Sequence, residues 1–307
     1  MVGEGKGMVK NTIRRNRSDR VFDTVVIVIL VLLLLITLYP LYFIVIASVS
    51  DPVSTKVGKV IIWPSGFTWD GYKKVLEYEH LASGYRNTLL YTLTKASLST
   101  MLTLMAGFVL SRKNLMGRRG ILLFFSITLF FSGGMIPTYL IVSGLGLIDK
   151  PVVIVIVGLV GVYNIIITRA FMEANVPDAL QEAAFIDGCS YARFFFSIVL
   201  PLSPAIISVI ALFTAVSEWN SWFNAMLYLR TDEYMPLQFW LRRLLTSMEQ
   251  LMSETEMTTA DNYNSNLLLA ESMKYAIIIV STLPILCLYP FLQRYFVKGI
   301  MVGSLKG

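Results

Sequence analysis

Six long apolar stretches alternate with polar or charged connections along the chain. Each stretch approaches the roughly 20 residues that a helix needs to cross a hydrocarbon layer of about 30 Å. The pattern therefore predicts an all-α membrane protein with six transmembrane helices. The approximate bounds of the predicted helices are Phe22 to Val49, Arg86 to Leu110, Ile121 to Val142, Pro151 to Ala170, Leu202 to Tyr228 and Ser272 to Phe296.

The composition supports lipid as the main solvent, because 55% of the residues are hydrophobic and only 15% are charged. A net charge of +6 raises the possibility of nucleic-acid binding. The basic residues, however, cluster at the ends of the apolar stretches, where they orient membrane helices. We therefore expect contacts with membrane lipid and none with nucleic acid.

Charge asymmetry predicts that both termini are cytoplasmic. The segment 1–21 is basic, and the connection between the second and third helices carries four basic residues and no acid. The prediction is a cytoplasmic N-terminal segment followed by a membrane domain over residues 22–307, with a cytoplasmic tail over 297–307. A cleaved signal peptide is disfavoured because the first apolar stretch exceeds the roughly 7–15 residues of a signal core.

The predicted cytoplasmic connection over residues 171–201 departs from this charge rule, because it carries four acids. A segment that docks on another protein has its own reason to be acidic, so this connection is the first place to look for function. The four acids are Glu173, Asp178, Glu182 and Asp187.

The same connection predicts two short helices joined by a glycine turn. Asn175 and Pro177 suit the start of a helix over Ala179 to Ile186, and Gly188 suits a sharp turn. A second helix is expected over Cys189 to Ser197, leading into the fifth membrane helix.

The spacing in this segment resembles the EAA loop of importer-type ABC permeases. Glu182, Ala183 and Ala184 are followed by three residues, Gly188, nine residues and an Ile-x-Leu-Pro sequence that ends at Pro201. In that family the segment is the coupling helix, which the ATPase subunit holds. The resemblance implies an ATPase-coupling role for Glu182, Ala183, Ala184, Asp187, Gly188 and Pro201.

Three other segments are similar to carbohydrate-uptake permeases, of the second-permease type of the maltose importer. Within that branch they are most similar to permeases for complex oligosaccharides such as alginate, aldouronate or rhamnogalacturonan fragments. These segments are Phe131 to Pro137, Trp219 to Asn224 and Gln293 to Gly299.

The resemblance implies that this chain works with several partners in a bacterial cytoplasmic membrane. They are a homologous second permease, two ATPase subunits and an extracytoplasmic sugar-binding protein that delivers an oligosaccharide. The chain contains no G-x-x-x-x-G-K-[ST] phosphate loop. ATP and Mg²⁺ are therefore expected on the ATPase subunits, and we expect no cofactor, metal or enzymatic activity in this chain.

A dense cluster of aromatic, amide and acidic residues near the end of the fifth stretch has the chemistry of sugar binding. Indoles stack on pyranose C–H faces, while amides and carboxylates bind hydroxyl groups. Continuous helical spacing would place Glu218 with Trp222 and Asn220 with Asn224. An aromatic belt with interhelical hydrogen bonds is an equal alternative. The candidate pathway residues are Glu218, Trp219, Asn220, Trp222, Asn224 and Tyr139.

Two further features concern the interior of the membrane. Lys95 lies in a stripe of serines and threonines, which favours a helix interface or a cavity wall, with structural pairing preferred over substrate contact. Gly133 and Gly134, with Pro137, are expected to weaken the third helix.

Two other function classes compete with the importer. An ion-coupled secondary transporter would use Lys95 and Glu218 for coupling, but it leaves the EAA-like segment unexplained. An intramembrane enzyme is disfavoured because the single histidine, His80, lies in a predicted external connection, with no metal-ligand spacing near it.

Overall fold

The computed structural model describes residues 17–254 and 273–287, and all regular structure within them is helical. This confirms the all-α prediction for that part of the chain. The predicted cytoplasmic tail 297–307 and most of the N-terminal segment 1–21 lie outside the described residues, as do Ser272 and the last part of the sixth predicted span.

Fifteen α-helices follow one another within the described part of the chain, and a π-helical segment over Phe195–Val199 joins two of them. The first eight are α1 Arg17–Ser48, α2 Pro52–Lys56, α3 Asp70–Leu76, α4 Leu81–Ser111, α5 Arg118–Phe130, α6 Met135–Gly144, α7 Val152–Ile156 and α8 Val162–Asn175. The others are α9 Asp178–Ile186, α10 Tyr191–Phe194, α11 Leu200–Leu202, α12 Pro204–Trp219, α13 Phe223–Tyr228, α14 Leu237–Glu254 and α15 Met273–Cys287.

Helix α4 is the central element, because it packs along both α8 and α12 and also contacts α7 and α14. One side of α4 is buried against these neighbours, whereas α1 exposes nearly all of its apolar side chains. Exposed apolar surface on a helix of this length is the arrangement that lipid or another membrane helix would cover.

Two helices, Asp19–Ser48 and Leu81–Ser111, are each long and apolar enough to cross a membrane. Two bent pairs raise the number to four if each pair is one span: Arg118–Phe130 with Met135–Gly144, bent by 113°, and Tyr191–Leu202 with Pro204–Trp219, bent by 84°. A total of six spans and the cytoplasmic placement of the termini therefore stay predictions.

The third apolar stretch is broken where the glycines predicted weakness. Residues 131–134 are not helical, and Gly134 has a φ of 81°, a conformation that glycine adopts without steric cost. The break separates α5 from α6 and produces the bend of 113°.

The fourth and fifth stretches correct the prediction of continuous helices. The fourth is interrupted over 157–161, where Gly158 has a φ of 68°. The fifth is bent at Ser203, because Pro204 has no N–H to continue the helix, and it is broken again over 220–222. Hydrophobicity predicted the lengths of these apolar stretches. It could not predict the breaks in their helices, because those breaks depend on contacts with other parts of the protein.

The close packing of α4 on α8 depends on Gly107. A Cβ atom added at Gly107 would lie 2.5 Å from Cγ2 and 2.8 Å from Cβ of Thr168 on α8. Because backbones of membrane helices approach most closely at small residues, Gly107 sets the separation of the two helices.

We predict that Gly107→Ala destabilises the protein by about 1–3 kcal/mol, the usual cost of overpacking a core. Thermal unfolding of the purified protein in detergent measures this cost. Gly120→Ala is the matched control, because no atom lies within 4 Å of the added Cβ. Adding Thr168→Gly to Gly107→Ala should restore part of the stability, and unchanged stability of the single variant would contradict the close contact.

Candidate coupling loop and membrane cavity

The predicted helix and glycine turn of the segment 171–201 are present. Helix α9 runs from Asp178 to Ile186, and Gly188 has a φ of 75°. No atom lies within 4 Å of a Cβ added at Gly188. The glycine is therefore required by its backbone conformation and not by a lack of space.

Two local predictions for this segment are wrong. Asn175 does not start α9, because α8 continues to that residue and the Asn175 side chain donates a hydrogen bond to the carbonyl of Phe171. The second helix does not end at Ser197. It begins after Ser190, whose hydroxyl accepts a bond from the Arg193 amide, and continues through the π-helical segment to Leu202.

Helix α9 presents a mixed acidic and apolar surface to the outside. Glu182 and Ala183 are exposed, and Ile186 is 87% exposed although it is a large apolar residue. Ala184, by contrast, is buried beneath the helix in a cluster with residues of α4, α8 and α10. Asp187 and Pro201 are exposed as well.

Arg112, at the end of α4, fastens α9 to that helix. Its guanidinium donates to the side chain of Gln181 and to the carbonyl of Val176, both at 3.2 Å, and lies 3.6 Å from the Asp178 carboxylate. Burial lowers the pKa of Arg112, and the nearby carboxylates of Asp178 and Glu173 oppose that shift. These contacts hold the N-terminal end of α9 in place through hydrogen bonds and an ion pair.

Aromatic contacts reinforce this attachment. The ring of Phe108 on α4 lies 6.0 Å from Phe194 and 5.4 Å from Phe195, and both partners are buried. The two short helices of the segment are therefore anchored on the same end of α4.

The contacts of two acids explain why this segment departs from the charge rule. Glu173 binds both Arg118 and Arg169, and Asp178 binds Lys113 at 3.3 Å in addition to Arg112. These acids neutralise basic residues of the neighbouring connection. The remaining two, Glu182 and Asp187, are exposed and available to a partner.

A buried ion pair joins α4 to α12 within the membrane domain. The ammonium of Lys95 donates to the Glu218 carboxylate at 2.7 Å and to the carbonyls of Ile154 and Val157 at 2.9 Å each. Lys95 and Glu218 are only 6% and 7% exposed. The three N–H bonds of the ammonium thus have three acceptors, two of which are carbonyls left without helical partners where α7 ends.

A cavity of about 260 Å³ lies beside this ion pair, and α4, α8, α12 and the break after α7 form its walls. Polar and apolar groups both line it, six of its nine lining residues have polar side chains, and Ser99 and Thr214 approach each other to 3.4 Å within it. Glu218 faces the cavity, and its second carboxylate oxygen accepts no hydrogen bond from any described residue. The lining residues are Lys95, Ser99, Gly158, Gly161, Asn164, Phe213, Thr214, Ser217 and Glu218.

The structure separates the other residues of the aromatic and amide cluster. The expected sharing of helical faces is wrong, because α12 ends at Trp219 and the chain is not helical again until Phe223. Trp219 is buried and donates to the carbonyl of Ser281 on α15 at 3.0 Å. Asn220 donates to the carbonyl of Val216 at 2.8 Å.

The remaining candidates lie away from the cavity lining. Trp222 lines a different groove beside α14, and Asn224 is half-buried in α13. Tyr139 stacks on Tyr228, with ring centroids 6.1 Å apart. Of the six candidate pathway residues, only Glu218 lines the membrane cavity, and the pathway role of each stays a prediction.

The attachment at Arg112 and the close partners of Lys95 could not be predicted from the sequence pattern. Arg112 is one of the four basic residues between the second and third predicted helices, where a positive charge is expected for orientation, and this position gives no sign that the side chain is buried. The bonds of Lys95 to Ile154 and Val157 depend on an interruption that hydrophobicity did not indicate.

Residues 97–302 match the family model described as "Binding-protein-dependent transport system inner membrane component". The chain belongs to this family. The predicted importer permease and its location in a bacterial membrane are therefore confirmed, and the family is one of transport components rather than enzymes.

Relatives and a solved structure agree over nearly the whole chain. Protein LplC of Bacillus subtilis is 34% identical over 297 residues, which cover 97% of this chain and 99% of that protein. The polygalacturonan/rhamnogalacturonan transport system permease protein YtcP of Bacillus subtilis is 34% identical and covers 94% and 99%. A chain from the crystal structure of a bacterial ABC transporter involved in the import of the acidic polysaccharide alginate is 30% identical, with a TM-score of 0.80 and coverage of 92% and 99%.

We predict that Lys95→Met destabilises the protein by roughly 3–5 kcal/mol, because it leaves the Glu218 carboxylate buried without its partner. Thermal unfolding in detergent measures the effect. Combining Lys95→Met with Glu218→Leu should recover only part of the loss, since two carbonyls still lack a donor. Lys113→Met is the control, because its side chain is exposed. If Lys95→Met has the stability of the wild type, the ion pair does not stabilise the protein as we propose.

Proposed function

We propose that this chain is one of two homologous permease subunits of an ABC importer that takes up an oligosaccharide. Two separate subunits bind ATP and Mg²⁺ and hydrolyse the ATP, and an extracytoplasmic binding protein delivers the sugar. The proposal is supported by the family match and by the presence, in one chain, of an exposed α9 surface and a cavity lined by Lys95 and Glu218.

The observation that carries the coupling role is the exposed tip of α9. Ile186 is 87% exposed and lies beside the exposed acids Glu182 and Asp187, a combination of apolar and charged surface that a protein partner can cover. An ATPase subunit that covers Ile186 and pairs with Glu182 would account for both features. Because Arg112 attaches α9 to the end of α4, a movement of such a partner would be transmitted from α9 to α4.

The contacts of α4 connect α9 to the cavity, so that a movement of α9 can reach the cavity wall. Arg112 attaches α9 to one end of α4, and Lys95 on the same continuous helix holds Glu218 and the break after α7. Movement of α9 would then move the ion pair at the cavity wall. Discrete rearrangement of packed helices is the usual form of such switching.

The substrate class is supported by the relatives, whose names include a polygalacturonan/rhamnogalacturonan permease, and by the transporter involved in alginate import. The polar lining around Glu218 suits hydroxyl-rich ligands, because hydroxyls, amides and a carboxylate can all bind sugar hydroxyl groups. We propose that sugars pass this wall of the cavity.

Uptake by the reconstituted importer tests the proposed function. We expect that proteoliposomes containing both permeases and the ATPase pair import sugar only with ATP and with the binding protein added on the opposite side. The permeases alone, given a proton or sodium gradient, should import none. Gradient-driven uptake without ATPase subunits would contradict the proposal and would support the secondary transporter.

We predict that Ile186→Ser and Glu182→Lys each leave the permease folded but reduce ATP-driven uptake at least about tenfold, since each removes an anchor residue of the interface. Uptake and co-purification of the ATPase subunits are the measurements. Ile61→Ser is the matched control, because Ile61 is a 57% exposed isoleucine outside the loop. Normal uptake and normal co-purification in both loop variants would exclude α9 as the coupling element.

A further inference from the structure

A second cavity, with a volume of about 460 Å³, lies between the start of α13 and α14. Trp222 and Phe239 contribute aromatic surface, and Arg242, Arg243, Thr246 and Ser247 contribute polar groups. None of the described lining residues is acidic, and Arg242 and Arg243 give this lining two positively charged groups. The established family and the coupling mechanism do not require such a site.

Both arginines of this groove lie against aromatic rings. Arg242 lies over the ring of Trp222 at 5.0 Å, and Arg243 lies over Trp240 at 5.5 Å. Among the side chains that the structure describes, neither guanidinium forms an ion pair or donates a hydrogen bond. A guanidinium that is held against an aromatic ring keeps its planar edge of N–H donors free for a carboxylate, which it can bind with two parallel bonds.

The polar groups follow one another along the same surface of α14. Thr246 is four residues beyond Arg242, and Ser247 is four residues beyond Arg243, so each pair is separated by roughly 5–6 Å along the helix. The Ser247 hydroxyl donates to the carbonyl of Arg243 and still has lone pairs to accept a bond. The groove thus offers cationic, hydroxyl and aromatic surface side by side.

This combination matches a sugar chain that carries carboxylates. Aromatic faces accept the apolar C–H face of a pyranose ring, hydroxyls bind the ring hydroxyl groups, and guanidinium groups bind carboxylates. A neutral sugar would offer the two guanidinium groups no carboxylate to bind, and a simple anion would not use the aromatic surface. Charge complementarity therefore selects an acidic oligosaccharide as the occupant.

We propose that the groove of Trp222, Arg242 and Arg243 binds an oligosaccharide of uronic acid units. The groove begins only four residues after Glu218, which lines the membrane cavity, so a sugar released from the groove is near the proposed pathway. This inference deepens the proposed function, since the route from groove to cavity has meaning only in a sugar importer.

Direct binding to the assembled importer tests the groove. The importer, without its binding protein, is placed in nanodiscs of phosphatidylcholine, which contain no anionic lipid headgroup. Calorimetry compares a uronic-acid trisaccharide with its fully methyl-esterified form, which has the same skeleton without charge. We expect the acid to bind at least about tenfold more tightly than the ester, because charged partners strengthen hydrogen bonds.

Arg242→Gln and Arg243→Gln should each weaken binding of the acid at least about tenfold while leaving the affinity for the ester and the melting temperature unchanged. Arg230→Gln is the matched control, because Arg230 is exposed and lies outside the groove. Equal affinity for acid and ester, no binding of the acid, or an equal loss in Arg230→Gln would overturn the inference. An effect of the groove variants only on docking of an empty binding protein would overturn it as well and indicate a protein interface.

The two proposals fail in different ways. ATP-driven uptake of sugar together with no binding in the groove contradicts only the groove. Absence of ATP-driven uptake of any sugar, with or without carboxylates, contradicts the proposed function.

Discussion

The three bonds of the buried Lys95 ammonium are the constraint on which the membrane domain depends. An isolated charge in a membrane interior costs about 3 kcal/mol or more, so a buried lysine persists only with partners on every donor. Here those partners come from α12 and from the broken end of α7. One side chain therefore permits the interruption of a membrane stretch, fixes Glu218 at a cavity wall and joins three segments through α4.

The other end of α4 is constrained in a similar way by Arg112. Its contacts with Gln181, Val176 and Asp178 attach α9 to the helix that carries Lys95. The close approach of α8 at Gly107 keeps the side of α4 packed. A single helix thus connects a surface suited to an ATPase with a cavity suited to a sugar.

The sequence predicted the features that depend on local chemistry. Apolar length predicted a helical membrane protein, the residues from Ala179 to Ile186 predicted a short helix, and the conformational freedom of Gly188 and Gly134 predicted a turn and a break. These features could be predicted because backbone sterics and hydrophobicity act over a few residues.

Predictions failed where distant residues decide the conformation. Asn175 was expected to start a helix, but packing of Met172 and Val176 in the core extends α8 past the predicted end. The amides and indoles after Glu218 were expected to share helical faces, yet Trp219 is held by α15 and Trp222 by Arg242, on different sides of a break. The partners that determine these positions are far away in sequence, so no local pattern indicates them.

Cross-linking α9 to the end of α4 tests most directly whether they move as one body. Lys113→Cys and Asp178→Cys replace a pair whose charged atoms lie 3.3 Å apart, and Cys189 and Cys287 are replaced by serine so that only this pair reacts. A short, cleavable thiol cross-linker then joins the two positions in the reconstituted importer. If α9 and the end of α4 move together, ATP-driven uptake will persist with the cross-link in place. Uptake that is abolished by the cross-link and restored by its cleavage would contradict this joint movement.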